Sequence, residues 1–379
     1  MLTKTLNDLE DTLRKRPLVR PLFFWIVGIL LYYYLSMPWL MCGLAIFIIL
    51  LSLWLILSKI GSAHGRPYYE MRWVWGVFIS ILTIALAVEV SLFAYKRAMN
   101  RLDNVSPLQE RATQIQQTLV NEYDSLSLTD EEKSVLATLT LGYRRSMKKE
   151  TRHLFSLAGV SHILAVSGFH VAVVCGVLSF LSAFFGRWRI GRWIRYLLLM
   201  SGVWSFAFIT GMAPSAMRAA LMLSLYLTSR QLRRDTDGYH TLSVAAFCML
   251  VYNPFYLFDI GFQLSYLAVL AILFLTPYMK RLIEVKNPLL AMPMNWIFMS
   301  LAAQIGTAWL CFYYFRQISI VFLFTNIPIM LLTTILIPLT FFWMVYPTEV
   351  VGHETLQHAV ELLVHAMMRV VQLFGIGWN

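Results

Sequence analysis

The chain has 379 residues, of which 59% are hydrophobic and only 13% charged, with a mean hydropathy of +0.65. Soluble domains carry about 45–50% apolar and about 25% charged residues, so the composition excludes an array of soluble domains; it also excludes disorder, which needs a polar, charged chain. The net charge is +11, and in so apolar a chain that surplus points to cytoplasmic loops of a membrane protein before it points to nucleic acid.

The expected fold is all-α, a polytopic transmembrane helical bundle with about 10–11 membrane segments, since each crossing needs about 20 apolar residues. Residues 1–95 hold a charged tail and three helices, at 22–37, 40–57 and 73–95. No small-residue cleavage site follows the first run, which predicts a retained anchor. Residues 96–160 are polar, with ten Lys or Arg and eight Asp or Glu. There Leu126, Leu128, Val135, Leu136, Leu139 and Leu141 recur at roughly helical spacing, and Thr129 with Glu132 forms a capping-box pattern. This predicts two or three amphipathic helices on or near the outer membrane surface.

Residues 161–346 form the core, with apolar stretches at 162–185, 194–209, 214–229, 241–252, 260–278, 293–312 and 318–346. The stretch 241–252 is too short to span alone. The stretch 318–346 is too long and is interrupted by Pro328 and Pro338, so some segments are expected to be broken or re-entrant. Residues 347–379 carry a last amphipathic or transmembrane helix.

Lys and Arg orient the chain. They cluster at Lys4, Arg14, Lys15, Arg16 and Arg20, then at Lys59, Arg66 and Arg72, then at Arg187, Arg189, Arg192 and Arg195. Further groups are Arg230, Arg233 and Arg234, then Lys280, Arg281 and Lys286, while the turns around Pro38, Gly211 and Asn253 carry none. The alternation places the N-terminus in the cytoplasm and residues 96–160 outside. Cys42, Cys175, Cys248 and Cys311 are far apart, without zinc or redox spacing, and read as core residues.

Polar groups inside a bilayer cost a few kcal/mol each, so each needs a partner or a wet path. Ser161-His162 precedes Ser167-Gly168-Phe169-His170, in which Ser167 and His170 are neighbours at i, i+3. Ser161 can cap a helix N-terminus, and the group fits capping with interhelical hydrogen bonding, a polar pore lining, or a nucleophile pair without a visible acid. Pro214-Ser215 starts a helix with Arg218 one turn in, a phosphate-friendly arrangement unless Arg218 snorkels or pairs with an acid. Asp259, Gln263 and Tyr266 share one helix face; Asp259 either caps that helix or partners Arg218. Gln304 and Asn326 lie deep in apolar runs and fit structural glue between helices. Glu89 stands alone in the third span. Glu354, His358, Glu361 and His365 form one stripe on the last helix, either a metal site or the solvated face of an amphipathic helix. No Walker A, HExxH or GxSxG pattern occurs, so the reading is not an enzyme, with no metal and no cofactor expected.

At these residues the chain resembles the ComEC competence family. The stretch Gly142 to Val174, the stretch Gly211 to Ala220 with Pro214-Ser215-Ala216-Met217-Arg218, and Asn253-Pro254 through Asp259-Ile260-Gly261-Phe262-Gln263-Leu264-Ser265-Tyr266 carry the resemblance, with Gln304 and Asn326-Ile327-Pro328 where later motifs fall. It covers about residues 119–346 and implies a channel in the bacterial inner membrane that takes up single-stranded DNA. It also implies a polar path drawn from His162, Ser167, His170, Ser215, Arg218, Asp259, Gln263, Tyr266, Gln304 and Asn326. Full-length family members add an OB-fold domain and a metallo-β-lactamase-like domain. Neither is visible here, so separate DNA receptor, nuclease and helicase proteins are expected beside the lipid bilayer as partners. Two other readings stay open: a transporter of a smaller anion such as a nucleotide or lipid-linked intermediate, and a membrane-embedded enzyme.

Overall fold

The computed structural model describes residues 16–35, 47–48, 51–52, 54–55, 72–100, 107–234, 237–283, 287–316 and 322–376. Most of the expected span at 40–57 lies outside the described residues, as do Lys4, Arg14, Lys15, Cys42, Lys59, Arg66 and Lys286. Among the described residues the chain is helical, without strands. In order the helices are α1 (Val19–Leu35), α2 (Arg72–Asn100), α3 (Pro107–Asn121), α4 (Asp130–Leu141), α5 (Lys149–Leu157), α6 (Gly168–Leu181) and α7 (Arg189–Ile209). There follow α8 (Pro214–Gln231), α9 (Gly238–Tyr252), α10 (Ile260–Leu282), α11 (Pro288–Phe315), α12 (Phe322–Val345) and α13 (His353–Ile376). Among the described residues, four stretches are long and apolar enough to cross a membrane: Gly76–Met99, Ile260–Leu282, Pro293–Phe315 and Phe322–Val345. The chain is therefore an all-α polytopic membrane protein.

Two compact units emerge, 1–104 with 237–263, and 105–236 with 264–379. In the first, Gly28 lets α1 meet α2 closely, because a Cβ there would lie 2.6 Å from the Ile84 carbonyl oxygen. Trp25 meets Phe247 edge to face, tying α1 to α9. Arg16 pairs with Asp237 and covers the Tyr239 ring.

In the second unit, α6, α7 and α8 pack on one another as an up-down-up hairpin. Val171, Leu199, Val203, Phe206, Ala216 and Ala220 fill its centre. Gly202 makes room for Leu178, whose Cδ1 would lie 2.1 Å from a Cβ. A larger core joins α4, α5, α12 and α13 around Leu136, Leu139, Phe155, Ile329, Leu336 and Met367.

Two features differ from expectation. Residues 107–157 carry the helices α3, α4 and α5, but α4 is no amphipathic surface helix: every residue from Ser134 to Leu141 is buried. Its polar positions are neutralised locally, since the Thr138 and Thr140 hydroxyls donate to the carbonyls of Ser134 and Leu136. A helix whose threonines bond back to its own turns can be buried all round. The second is α12, one continuous helix through Pro328 and Pro338, where an interruption was expected. Each proline frees the carbonyl four residues earlier, and α12 tolerates this because α4, α6, α11 and α13 all pack against it.

Candidate functional site

His162, Ser167, His170 and Asn326 lie where the chain enters α6. Gly159, in the left-handed region at φ 75°, ends the preceding helix, and residues Ser161–Leu164 form a 3-10 turn. Arg144 fixes that turn, its Nε donating to the Leu164 carbonyl at 3.0 Å. The apolar stretch from 162 is thus broken at its start. Helix proper covers 14 residues, about 21 Å at 1.5 Å per residue, less than a bilayer core.

Ser167 caps α6 together with His170. The Ser167 backbone N–H donates to His170 Nδ1 at 3.2 Å, and Ser167 Oγ lies 2.8 Å from the same nitrogen. A backbone N–H can only donate, so Nδ1 accepts and the neutral ring carries its proton on Nε2. That Nε2 is buried and has no hydrogen-bond partner among the described residues. The geometry gives the pair a capping role: the lone pair a base would use on the Ser167 hydroxyl is already shared with the backbone.

His162, exposed at its own surface, lies within electrostatic range of His170. Its ring sits 5.5 Å from that of Phe322 and faces the Asn326 side chain one turn along α12. Asn326 is 2% exposed, and its Nδ2 donates to Ser300 Oγ at 2.9 Å, joining α12 to α11. Its Oδ1 is buried without a hydrogen-bond partner among the described residues. Gln304 lies one turn beyond Ser300 on α11 and is half-buried. Ser300 was not singled out from the sequence; its signal is the i, i+4 spacing to Gln304.

Arg218 lies in the second turn of α8, 4% exposed, with Ser215 half-buried one turn earlier. Pro214 opens the helix, and Gly211 and Met212 enter it through positive φ of 70° and 53°. A Cβ on Gly211 would lie 3.0 Å from Gln116 Oε1, so glycine admits the Gln116 side chain. Gln116 Nε2 in turn donates to the Leu141 carbonyl at 2.6 Å, linking α3, α4 and the α7–α8 turn.

Asp259 and Gln263 belong to the first unit. Asp259 Oδ2 accepts from the Phe262 N–H at 2.7 Å and so caps α10. Gln263 Nε2 donates to the Leu257 carbonyl at 2.9 Å. Tyr266 follows on α10, half-buried and grouped with the second unit.

In the C-terminal stripe Glu354, His358 and His365 are exposed, as a solvated face requires, while Glu361 is buried. No group of three or more metal-ligating side chains occurs among the described residues. Glu361 accepts from the Ser127 N–H at 2.8 Å, and His365 Nδ1 meets Glu132 Oε1 at 2.5 Å, so this face docks on the start of α4.

The family profile described as Competence protein matches residues 139–376. This chain belongs to the competence protein family. All ten polar-path residues expected from the sequence fall in the matched region. Among relatives, ComE operon protein 3 of Bacillus subtilis is 29% identical over 194 residues, 51% of this chain and 24% of that protein. An uncharacterized protein YcaI of Escherichia coli is 28% identical over 145 residues, 37% of this chain and 19% of its own. An uncharacterized protein of Aquifex aeolicus is 31% identical over 131 residues, 34% of this chain and 30% of its own. The chain thus covers less than a third of the length of each of these relatives. No solved structure matches.

Proposed function

We propose that this competence-family protein is the membrane-embedded path for single-stranded DNA in a bacterial inner membrane. Its N-terminus is cytoplasmic, and receptor, nuclease and helicase steps fall to other domains or proteins. The observation that carries the reading is the set of buried polar side chains His170 on α6, Arg218 on α8 and Asn326 on α12, with α8 and α12 both packed against α6, inside the family-matched region. In such a path Arg218 attracts phosphate, Tyr266 stacks a base, and His162, Ser167, Ser215, Gln304 and Asn326 keep the wall polar. The reading assigns transport and no covalent step, with neither metal nor cofactor.

Uptake of labelled DNA in a deletion strain complemented with this gene is the test. Arg218→Ala is expected to lower uptake at least about tenfold at equal membrane expression, the scale of a lost charged contact. Arg218→Lys is expected to retain part, because a moving strand needs charge more than fork geometry. Normal uptake with Arg218→Ala removes Arg218 from the path. One observation favours a second reading, a smaller anionic solute: among the described residues Arg218 is the only buried Lys or Arg. Nucleotide or lipid-phosphate transport by the purified protein, without DNA uptake, would select it.

A further inference from the structure

The polar-path reading leaves one end of the second unit unused. From Ser161 to Arg234 the sequence contains no Asp or Glu, and its basic residues are all arginine. Seven of them sit at Arg187, Arg189, Arg192, Arg195, Arg230, Arg233 and Arg234. The hairpin brings these together. The turn between α6 and α7 and the C-terminus of α8 lie at the same end of an up-down-up trio, and the Tyr196 hydroxyl meets Thr228 Oγ1 at 3.0 Å to hold α7 to α8 there.

The platform is built, not loose. Residues Ala183–Arg187 form a 3-10 turn that folds back on the first turn of α7. A Cβ on Gly191 would lie 2.1 Å from the Phe185 carbonyl oxygen, so only glycine permits that closeness. Arg195 is spent on the scaffold, its Nη2 donating to Ser179 Oγ at 2.6 Å and to the Ser179 carbonyl at 3.1 Å. Arg187, Arg189, Arg230, Arg233 and Arg234 are exposed, and none is ion-paired among the described residues. Beside them stand Phe180, 81% exposed, and Ile190, 77% exposed, with Phe184, Trp188 and Trp193 also outward. Phe184 and Trp188 meet edge to face at 5.2 Å. Arg233 holds φ 54°, a backbone state that costs an arginine about as much as a weak contact gains.

Exposed aromatics continuous with apolar helix faces, rimmed by unpaired guanidinium groups, match the depth profile of a membrane interface: rings at headgroup level, arginines on phosphate. We propose that this end of the α6–α8 hairpin is a docking surface for anionic phospholipid headgroups. Nucleic acid is the weaker occupant, because the rings adjoin a continuous apolar surface, with isoleucine and leucine among them, that a water-borne strand would leave uncovered. The proposal is independent of what the protein transports.

Native mass spectrometry of the purified full chain in detergent, with phosphatidylglycerol or phosphatidylcholine added, tests it. The chain is expected to retain phosphatidylglycerol in preference by about tenfold, given the electrostatic gain per exposed arginine at an anionic surface. Arg187→Gln with Arg189→Gln, Arg233→Gln and Arg234→Gln should bring the two lipids near parity, with the same positions as Lys keeping part of the preference. The Arg233→Gln, Arg234→Gln pair alone lies beyond the end of α8, so it carries the test at reduced size should the fourfold variant not fold. Parity in the unaltered chain, or full preference in a folded Gln variant, overturns the proposal. Displacement of phosphatidylglycerol by a single-stranded oligonucleotide at lower concentration than by competing anionic lipid also overturns it, in favour of a nucleic-acid surface.

Discussion

Single residues decide how the polar groups of the second unit are held. Gly142 ends α4 at φ 73°, and a Cβ there would lie 2.8 Å from Val166 Cγ2. Gly142→Ala is therefore expected to lose about 1–2 kcal/mol from the left-handed backbone alone, read as a lower melting temperature in detergent. Asn326 and Ser300 are joined by one hydrogen bond between α12 and α11. A double-mutant cycle with Asn326→Ala and Ser300→Ala should return a coupling near 0.6 kcal/mol, the average for such bonds in membrane bundles. A coupling near zero would assign Asn326 to the polar path alone. At this scale Pro214 as a helix start and Asp259 as a possible cap follow from local chemistry, whereas the cap expected at Ser161 falls on Ser167. Ser300, Gln116 and Arg144 were not legible in the sequence, because their partners lie 26, 25 and 20 residues away.

Among elements, the joint between α13 and α4 has a titratable lock. Thr129 and Glu132 form the reciprocal capping box, and Glu132 also meets His365. Burial pushes the Glu132 carboxyl up, but hydrogen bonds from the Thr129 backbone and hydroxyl, and from His365, outweigh it and hold the group below its ordinary 4.5. A carboxyl held low stabilises the fold above its unfolded value and loses that contribution as pH falls through the folded value. Hydrogen exchange at the start of α4 and along the facing turns of α13 should thus be slow at neutral pH and rise below about 4.5, the unfolded value. Glu132→Gln should show the fast pattern already at pH 7, with a stability loss of about 1–3 kcal/mol, as for bonds to charged groups. Unchanged exchange in that variant would show that apolar packing alone seats α13. The capping box was readable from Thr129 and Glu132, whereas the docking of α13 was not, since a Glu/His stripe looks the same on a wet face as on a buried seam.

For the whole molecule, the apolar composition made the all-α membrane class plain, but not its grouping. The first unit joins residues 1–104 to 237–263, a pairing that no local periodicity encodes. Within the second unit, sidedness has a physical handle. Gln116 of α3 sits on Gly211 at the N-terminal end of α8, while Arg230, Arg233 and Arg234 mark the other end. The 18 residues of α8 separate these ends by about 27 Å, close to a bilayer core. Arginine-rich ends stay cytoplasmic, so α3 is expected on the outer side. Cysteines placed at Thr113 and at Leu232, in a background with the exposed Cys248 and the other native cysteines replaced, should label from opposite faces. An impermeant maleimide added to intact cells is expected to modify the Thr113 position and spare Leu232 until the membrane is opened. Labelling of both from outside, or of Leu232 alone, would overturn the proposal that α8 crosses the membrane and, with it, that Arg218 lies inside the bilayer.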